Sequence, residues 1–275
     1  MKLTNKNNLP HAIYNSCLEQ NKKYSKGDAD YSVTGLLKPP TISRLTKEHY
    51  DELTEDCSER LWALSGSALH HILEMSADEN TITEKRLFAE INGVKISGSI
   101  DVLENKTIQD YKYASVWESI YGIKPEKVEQ LNIYYWLCYK NGIEVDSLEL
   151  VFMFRDWQAS KAEHDANYPQ SQIAVIPVEI WSIEKIESFI IERIKLQQDE
   201  NYICTAEDRW RKGEKWAVMK LGRKSAIKLH DTVEEADRHL QTLDDKHYIE
   251  HREGKDARCE RYCPVRNFCP HNKML

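Results

Sequence analysis

Residues 98–112 read GSIDVLENKTIQDYK, from Gly98 to Lys112, and the fold is decided by how these fifteen positions pair. Asp101 is followed, after a spacer of eight residues, by Asp110-Tyr111-Lys112. Just upstream, Val94, Ile96, Ile100 and Val102 alternate with Lys95, Ser97, Ser99 and Asp101, the period-2 pattern of a half-buried strand. Glu104-Asn105-Lys106 supplies a turn, and Thr107–Tyr113 returns as the neighbouring strand. Positions i and i+2 of a strand share a face. Asp110 and Lys112 therefore point together, and the hairpin brings Asp101 beside them. Adjacent carboxylates repel unless a cation lies between them. Hard oxygen donors suit Mg²⁺ or Mn²⁺, and a lysine beside such an ion can orient or help deprotonate a water. Asp-x-Lys alone is a weak signal, because charges alternate on the wet face of many strands; the flanking elements give it weight.

The chain has 275 residues, 41% hydrophobic and 30% charged, with a net charge of −7. These values suit a globular protein with one large domain or a core with a small appendage. They argue against a generally basic nucleic-acid coat, though not against a local basic track. No run of 18 apolar residues is present, so no membrane span is expected, and MKLTNKNNLP has no apolar segment of a secretory signal. A reducing cytoplasm is the expected location, where seven cysteines do not build a disulfide framework.

Residues 1–56 read as an N-terminal helical extension, with Thr41–Glu55 helical. A helix over Cys57–Met75 is expected to bury Leu61, Leu64, Ala68, Leu69, Ile72 and Leu73. It places His70 and Glu74 on one face, one turn beyond Gly66. Thr83–Ile91 is a strand, followed by the two strands of the opening hairpin. Pro125–Lys140 is a helix with Gln130 and Tyr134 at i and i+4, and SLELVFMF (147–154) reads as a buried strand. Helix, three-stranded meander, helix and strand make an α/β core over residues 57–200, a mixed sheet flanked by helices. Arg155–Gln172 is expected to be a long loop. Residues 201–275 hold a basic hairpin, a helix opened by a Thr232–Glu235 capping box, and a cysteine-rich tail.

Gly66-x3-His70-x3-Glu74, Gly98-x2-Asp101, Asp110-Tyr111-Lys112 and Gln130-x3-Tyr134, in this order, resemble the PD-(D/E)XK nuclease superfamily, and more closely its RecB-like and CRISPR-associated exonuclease branch. The Arg155-Asp156-Trp157 and YPQSQ segments are similar to phage-encoded members, which would place the protein in a host cytoplasm. The resemblance implies a restriction-endonuclease-like core and a metal-dependent DNA exonuclease of recombination, replication or repair. It implies that His70, Asp101, Asp110 and the Tyr111 carbonyl are metal ligands. Lys112 would position the attacking water, Gln130 and Tyr134 would touch the DNA backbone or steady the lysine, and Glu74 would support the ligands. A histidine among oxygen donors favours Mn²⁺ relative to Mg²⁺. A restriction-type endonuclease and a non-catalytic DNA-binding or adaptor protein of the same fold are the alternatives.

Cys259-x3-Cys263-x5-Cys269 places three cysteines in eleven residues, a spacing that points to a metal. RecB-like nucleases with an iron–sulfur clasp join such a tail to a cysteine far upstream, which here means Cys204 or Cys57; Cys204 is preferred. A 4Fe-4S cluster is expected and zinc is the alternative, since family tails usually show Cys-x2-Cys. Residues 209–228 hold eight Lys or Arg against one acid, with Trp210 and Trp216 interleaved. Arg209, Arg211, Lys212, Arg223 and Lys224 are candidate contacts to DNA ends or single strands, and the tryptophans are candidate stacking rings; a solvated basic hairpin is the other reading. A single-strand annealing protein is a candidate partner.

Overall fold

A computed structural model of the protein describes residues 1–23, 26–78 and 81–272; residues 24–25, 79–80 and 273–275, including the last three of the expected tail, lie outside the described residues. The chain forms two units, residues 1–38 with 51–199, and residues 39–50 with 200–275. It begins with β1 (Lys2–Thr4), α1 (His11–Lys23), β2 (Tyr31–Ser32), α2 (Val33–Leu37), α3 (Pro40–Glu48) and β3 (Thr54–Asp56), of which α3 belongs to the second unit. The first unit continues with α4 (Leu61–Met75), β4 (Ile82–Ile91), β5 (Val94–Glu104), β6 (Thr107–Ala114), α5 (Trp117–Ile120), α6 (Pro125–Lys140), β7 (Ser147–Phe154), α7 (Ala159–His164), β8 (Ile173–Val178) and α8 (Ile183–Gln198). The second unit adds β9 (Arg211–Lys212), β10 (Lys215–Lys220), β11 (Lys228–His230), α9 (Val233–Leu240), β12 (His247–Arg252) and β13 (Lys255–Asp256).

The first unit is a mixed α/β structure with a six-stranded mixed sheet. β4, β5 and β6 form the antiparallel meander, β6 and β7 run parallel through the α6 crossover, and β8 returns antiparallel to β7. Two-residue turns close the meander: Asn92-Gly93 with φ 50° and 75°, and Asn105-Lys106 with φ 47° and 60°. Paired left-handed residues of this kind match the twist of the strands they join. Ile96 pairs with Ala89 of β4 on one side and Tyr31 of β2 on the other, while Val102 pairs with Thr83 and Gln109. β2 and β6 thus share one edge of β5.

α6 crosses one face of the sheet beside α2 and α8. It opens at Pro125, whose missing N–H costs nothing in a first turn. Its Leu131, Ile133, Trp136, Leu137 and Cys138 are fully buried, with Leu148, Leu150, Phe152 and Phe154 of β7 in the same core. The buried Asn132 amide donates to the Val128 and Glu179 carbonyls at 3.0 and 3.1 Å and accepts from the Trp181 N–H at 2.8 Å. Gly98 lies directly under α6. A Cβ there would come within 2.7 Å of Tyr134, 2.8 Å of Leu137 and 2.9 Å of Val33.

Several sequence expectations change. Residues 1–56 do not form one extension: β1 pairs in parallel with β3, β2 joins the main sheet, and α3 lies in the second unit. The helix expected over Thr41–Glu55 ends at Glu48, because Thr54–Asp56 are extended against β1. The Arg155–Gln172 loop contains α7. α4 begins at Leu61, after a 3₁₀ turn over Cys57–Arg60, and none of its residues is buried; Ile72 is 61% exposed. Its apolar positions rest loosely on β4 and β6 rather than entering the core.

In the second unit the expected basic hairpin gains a third strand, giving the antiparallel order β11-β10-β12. Thr232 caps α9 by accepting from the Glu235 N–H at 3.3 Å. Among the described residues no helix is long and apolar enough to cross a membrane.

Candidate active site

Three side chains from three elements converge in the first unit. His70 of α4, Glu84 of β4 and Asp101 of β5 each offer a ligand atom, all within 4.8 Å of one another. His70 Nδ1 lies 3.2 Å from Glu84 Oε1 and 3.6 Å from Asp101 Oδ1. The strand ladder registers Thr83 against Val102 and Lys85 against Ile100, and between them Glu84 takes φ 45°. A left-handed glutamate within a strand is strained by about 1–3 kcal/mol and breaks the alternation of side chains. Ser99 supports the turn of chain, its hydroxyl donating to the Glu84 carbonyl at 3.0 Å. Nothing in the spacing of TITEKR singles out Glu84, because the feature that matters is a backbone conformation that glutamate rarely takes. Glu74, the acid marked by helical spacing, instead faces His71 at 3.4 Å in solvent.

Asp101 also accepts from the Tyr111 N–H at 2.9 Å, so the Tyr111 backbone meets this carboxylate through its amide. Burial and then the charge of Asp110 push the Asp101 carboxyl up to about 7. The hydrogen bond to Glu84 raises the pKa of His70, and the same bond lowers that of Glu84. Asp110 is 1% exposed. The Lys112 ammonium stands 2.5 Å from its Oδ2, yet neither carboxylate oxygen has a hydrogen-bond partner of good geometry. Buried carboxylates in this state strongly favour a further cation. The His70 imidazole and the two converging carboxylates, with Asp110 close by, form a donor set that fits a hard divalent ion.

Gln130 and Tyr134 engage one another, the amide donating to the phenol oxygen at 2.7 Å. Burial, then the Asp110 charge, raises the Tyr134 pKa, so the ring remains a neutral phenol above the acids. Lys127, one turn earlier on α6, was not anticipated from the sequence. It pairs with Glu118 at 2.5 Å and lies in the field of both Lys112 and Asp110; burial lowers its pKa. Arg155-Asp156 fixes the chain beyond Lys112: the Arg155 N–H donates to the Ala114 carbonyl at 3.0 Å, and the Asp156 carboxylate accepts from Ser115 Oγ at 2.6 Å and the Val116 N–H at 2.7 Å. A Cβ on Gly66 would meet nothing within 4 Å, so no close approach within the chain calls for that glycine.

In the second unit, Cys204, Cys259, Cys263 and Cys269 line one cavity of about 280 Å³. Cys57 is in the first unit, buried beside Cys17. Burial pushes the Cys204 thiol up to about 11 and raises Cys259 and Cys263, with further upward contributions from the neighbouring tail cysteines.

The basic stretch divides. Arg209 is held by Asp256 at 2.9 Å and by the Cys204 carbonyl, and Arg211 by Glu214 at 3.2 Å and Asp256 at 3.3 Å. Lys212, Arg223 and Lys224 are exposed. The rings expected to be open for stacking are half-buried as well as paired: Trp210 lies 4.0 Å from the Arg258 guanidinium and Trp216 stacks on His251 at 5.0 Å. Both tryptophans thus pack within their own unit.

No family model matches the chain, and no curated protein matches it in sequence. Among solved structures, the chain is similar to SSO0001, with 22% identity and a TM-score of 0.50, covering 72% of this chain and 89% of that one. A phage related exonuclease from Haemophilus somnus 129PT aligns with 15% identity and a TM-score of 0.30, covering 68% of this chain and 78% of that one. The first likeness is one of fold.

Proposed function

We infer that the protein is a divalent-metal-dependent deoxyribonuclease, an exonuclease that hydrolyses DNA phosphodiester bonds. The observation that carries this reading is the convergence of His70, Glu84 and Asp101 beside the buried carboxylate of Asp110, which is paired with the Lys112 ammonium. Mg²⁺ or Mn²⁺ held there would supply Lewis-acid polarisation of the scissile phosphate and offset its growing charge. His70, Glu84 and Asp101 would hold the ion, and Asp110 would add a further carboxylate beside it. Lys112 Nζ orients the attacking water by hydrogen bonding, and Asp110 keeps that ammonium in place. Tyr134 and Gln130 cap the site from α6 and keep bulk water from the acids. Incubation of end-labelled linear DNA and closed circular DNA with Mn²⁺ tests the reading. Loss of label from linear DNA alone is expected; cutting of the circle makes the enzyme an endonuclease, and no cleavage of either refutes hydrolysis.

The four-cysteine cavity is read as a separate structural site for a 4Fe-4S cluster, with Zn²⁺ as the competing metal. Thiols raised by burial and by each other stay protonated unless a metal draws the protons off, and four soft donors suit iron–sulfur or zinc. Iron, zinc and acid-labile sulfide assays on protein purified without oxygen decide between them; neither metal at one site per chain rejects both.

A further inference from the structure

Large aromatic rings stand in the open at the end of β6, immediately past Lys112. Trp62 is 60% exposed, Tyr113 37%, Trp117 46% and Tyr121 82%. They form two pairs. Trp62 and Tyr113 have centroids 6.4 Å apart, and Trp117 stacks on Tyr121 at 5.7 Å with 19° between the ring planes. Each pair carries a cation: the Arg155 guanidinium lies 4.4 Å from the Trp62 ring and Lys161 Nζ lies 5.7 Å from Trp117. Three residues of chain lie between Tyr113 and Trp117, so their Cα atoms are at most about 14 Å apart. Those residues are pinned by Asp156.

Burying such rings is worth several kilocalories, and this fold leaves them in water although its core lies alongside. Open aromatics interleaved with Arg and Lys are the composition of a surface that binds unpaired bases, whose π-faces stack without regard to sequence while the cations meet phosphate. Duplex DNA keeps those faces stacked on each other and presents only phosphate and base edges.

We propose that Trp62, Tyr113, Trp117 and Tyr121, with Arg155 and Lys161, form a stacking track that holds single-stranded DNA and leads it to the site at Lys112. The position of the track beside a phosphodiester-cleaving centre rests on the function proposed above; binding to the rings does not. The preferred substrate is accordingly an unpaired strand, or a duplex end whose last bases have opened onto the rings.

Binding is measured by anisotropy in EDTA, where no cleavage occurs, using labelled oligothymidylate of about twelve nucleotides and an abasic strand of equal length. The abasic strand keeps the phosphates and removes the bases. The wild type is expected to bind oligothymidylate more tightly than the abasic strand. Trp62→Ala and Tyr121→Ala are each expected to weaken oligothymidylate by about five- to a hundredfold, the range for losing one stacked base, and to leave the abasic strand unchanged. Trp62→Phe and Tyr121→Phe should keep most of the affinity. Equal binding of the two strands by the wild type, or unchanged binding by both alanine variants, overturns the track. Cleavage in Mn²⁺ is scored separately. Base-dependent binding without any cleavage leaves the track standing and removes the nuclease, and cleavage with alanine-insensitive binding does the reverse.

Discussion

Replacing Asp101 by Asn should stabilise the metal-free protein, and the gain should grow with pH. Burial, and then the charge of Asp110, push the Asp101 carboxyl up to about 7 from its ordinary 3.8. A carboxyl whose pKa is raised on folding holds its proton more tightly when folded. Its contribution to stability is therefore greatest below pH 4, and is lost as the pH rises toward 7. The full shift corresponds to roughly 4 kcal/mol at 1.36 kcal/mol per unit. About 2–3 kcal/mol of that accrues between pH 5 and pH 8. Asn keeps the shape and can still accept from the Tyr111 N–H, so the substitution removes the charge alone. His70 adds to the same trend, since its raised pKa stabilises at low pH and the contribution is lost as pH rises through it; Glu84, with a lowered pKa, acts only in the acid range. The assay is urea unfolding followed by tryptophan fluorescence, in EDTA, at pH 5 and pH 8. Asp101→Asn should exceed the wild type at pH 8, with the gap narrowing by about 2–3 kcal/mol at pH 5. Saturating Mn²⁺ should raise the wild type more than the variant, because the proposed site loses an anionic ligand in Asp101→Asn. A gap independent of pH, or a variant less stable at pH 8, would refute the account of two carboxylates crowded together without their cation.

Asp110→Ala should abolish cleavage while urea unfolding in EDTA at pH 8 stays close to wild type, since the repulsion relieved at Asp101 offsets the lost pairing with Lys112. Glu84→Gln should weaken Mn²⁺ binding by calorimetry about tenfold or more; unchanged affinity would take Glu84 out of the site. Gly98→Ala should cost about 1–3 kcal/mol in the same unfolding assay, because Tyr134, Leu137 and Val33 must all move. Cys263→Ser should lower the melting temperature and release the iron or zinc, while any folded fraction still binds Mn²⁺ at the separate first-unit site.

The parts of this molecule that follow from chain periodicity were legible from the start. Alternation through Val94–Val102, the turn at Asn105 and the i, i+2 relation of Asp110 and Lys112 require only strand geometry, and the meander with its crossover helix has that form. Gly98 was marked as part of a motif, and the close approach of α6 supplies its physical reason. What escaped depends on relations that no short window contains. α4 has the apolar spacing of a packed helix, yet hydrophobic spacing says which residues share a face, not whether anything covers it. The basic run at 209–228 suggested open cations, but Asp256, more than forty residues away, neutralises two of them.

Glu84 and Glu74 show the limit most clearly. Helical spacing placed Glu74 one turn from His70, and a helix indeed sets both residues near one another along its axis. Proximity along an axis fixes neither the direction of a side chain nor its partner, and Glu74 turns to His71 in solvent. Glu84 lies on a different element, fourteen residues from His70, and reaches it only because its own backbone leaves the β region at φ 45°. That conformation is costly for glutamate, and the Ser99 hydroxyl on its carbonyl returns only part of the difference. A strained residue whose carboxylate meets a histidine and a second carboxylate gains most when a cation joins all three, because attraction to the ion replaces repulsion between the acids. The strain at Glu84, the elevated Asp101 and the buried Asp110 with its incomplete hydrogen bonding are the three features that the proposed cation would relieve together.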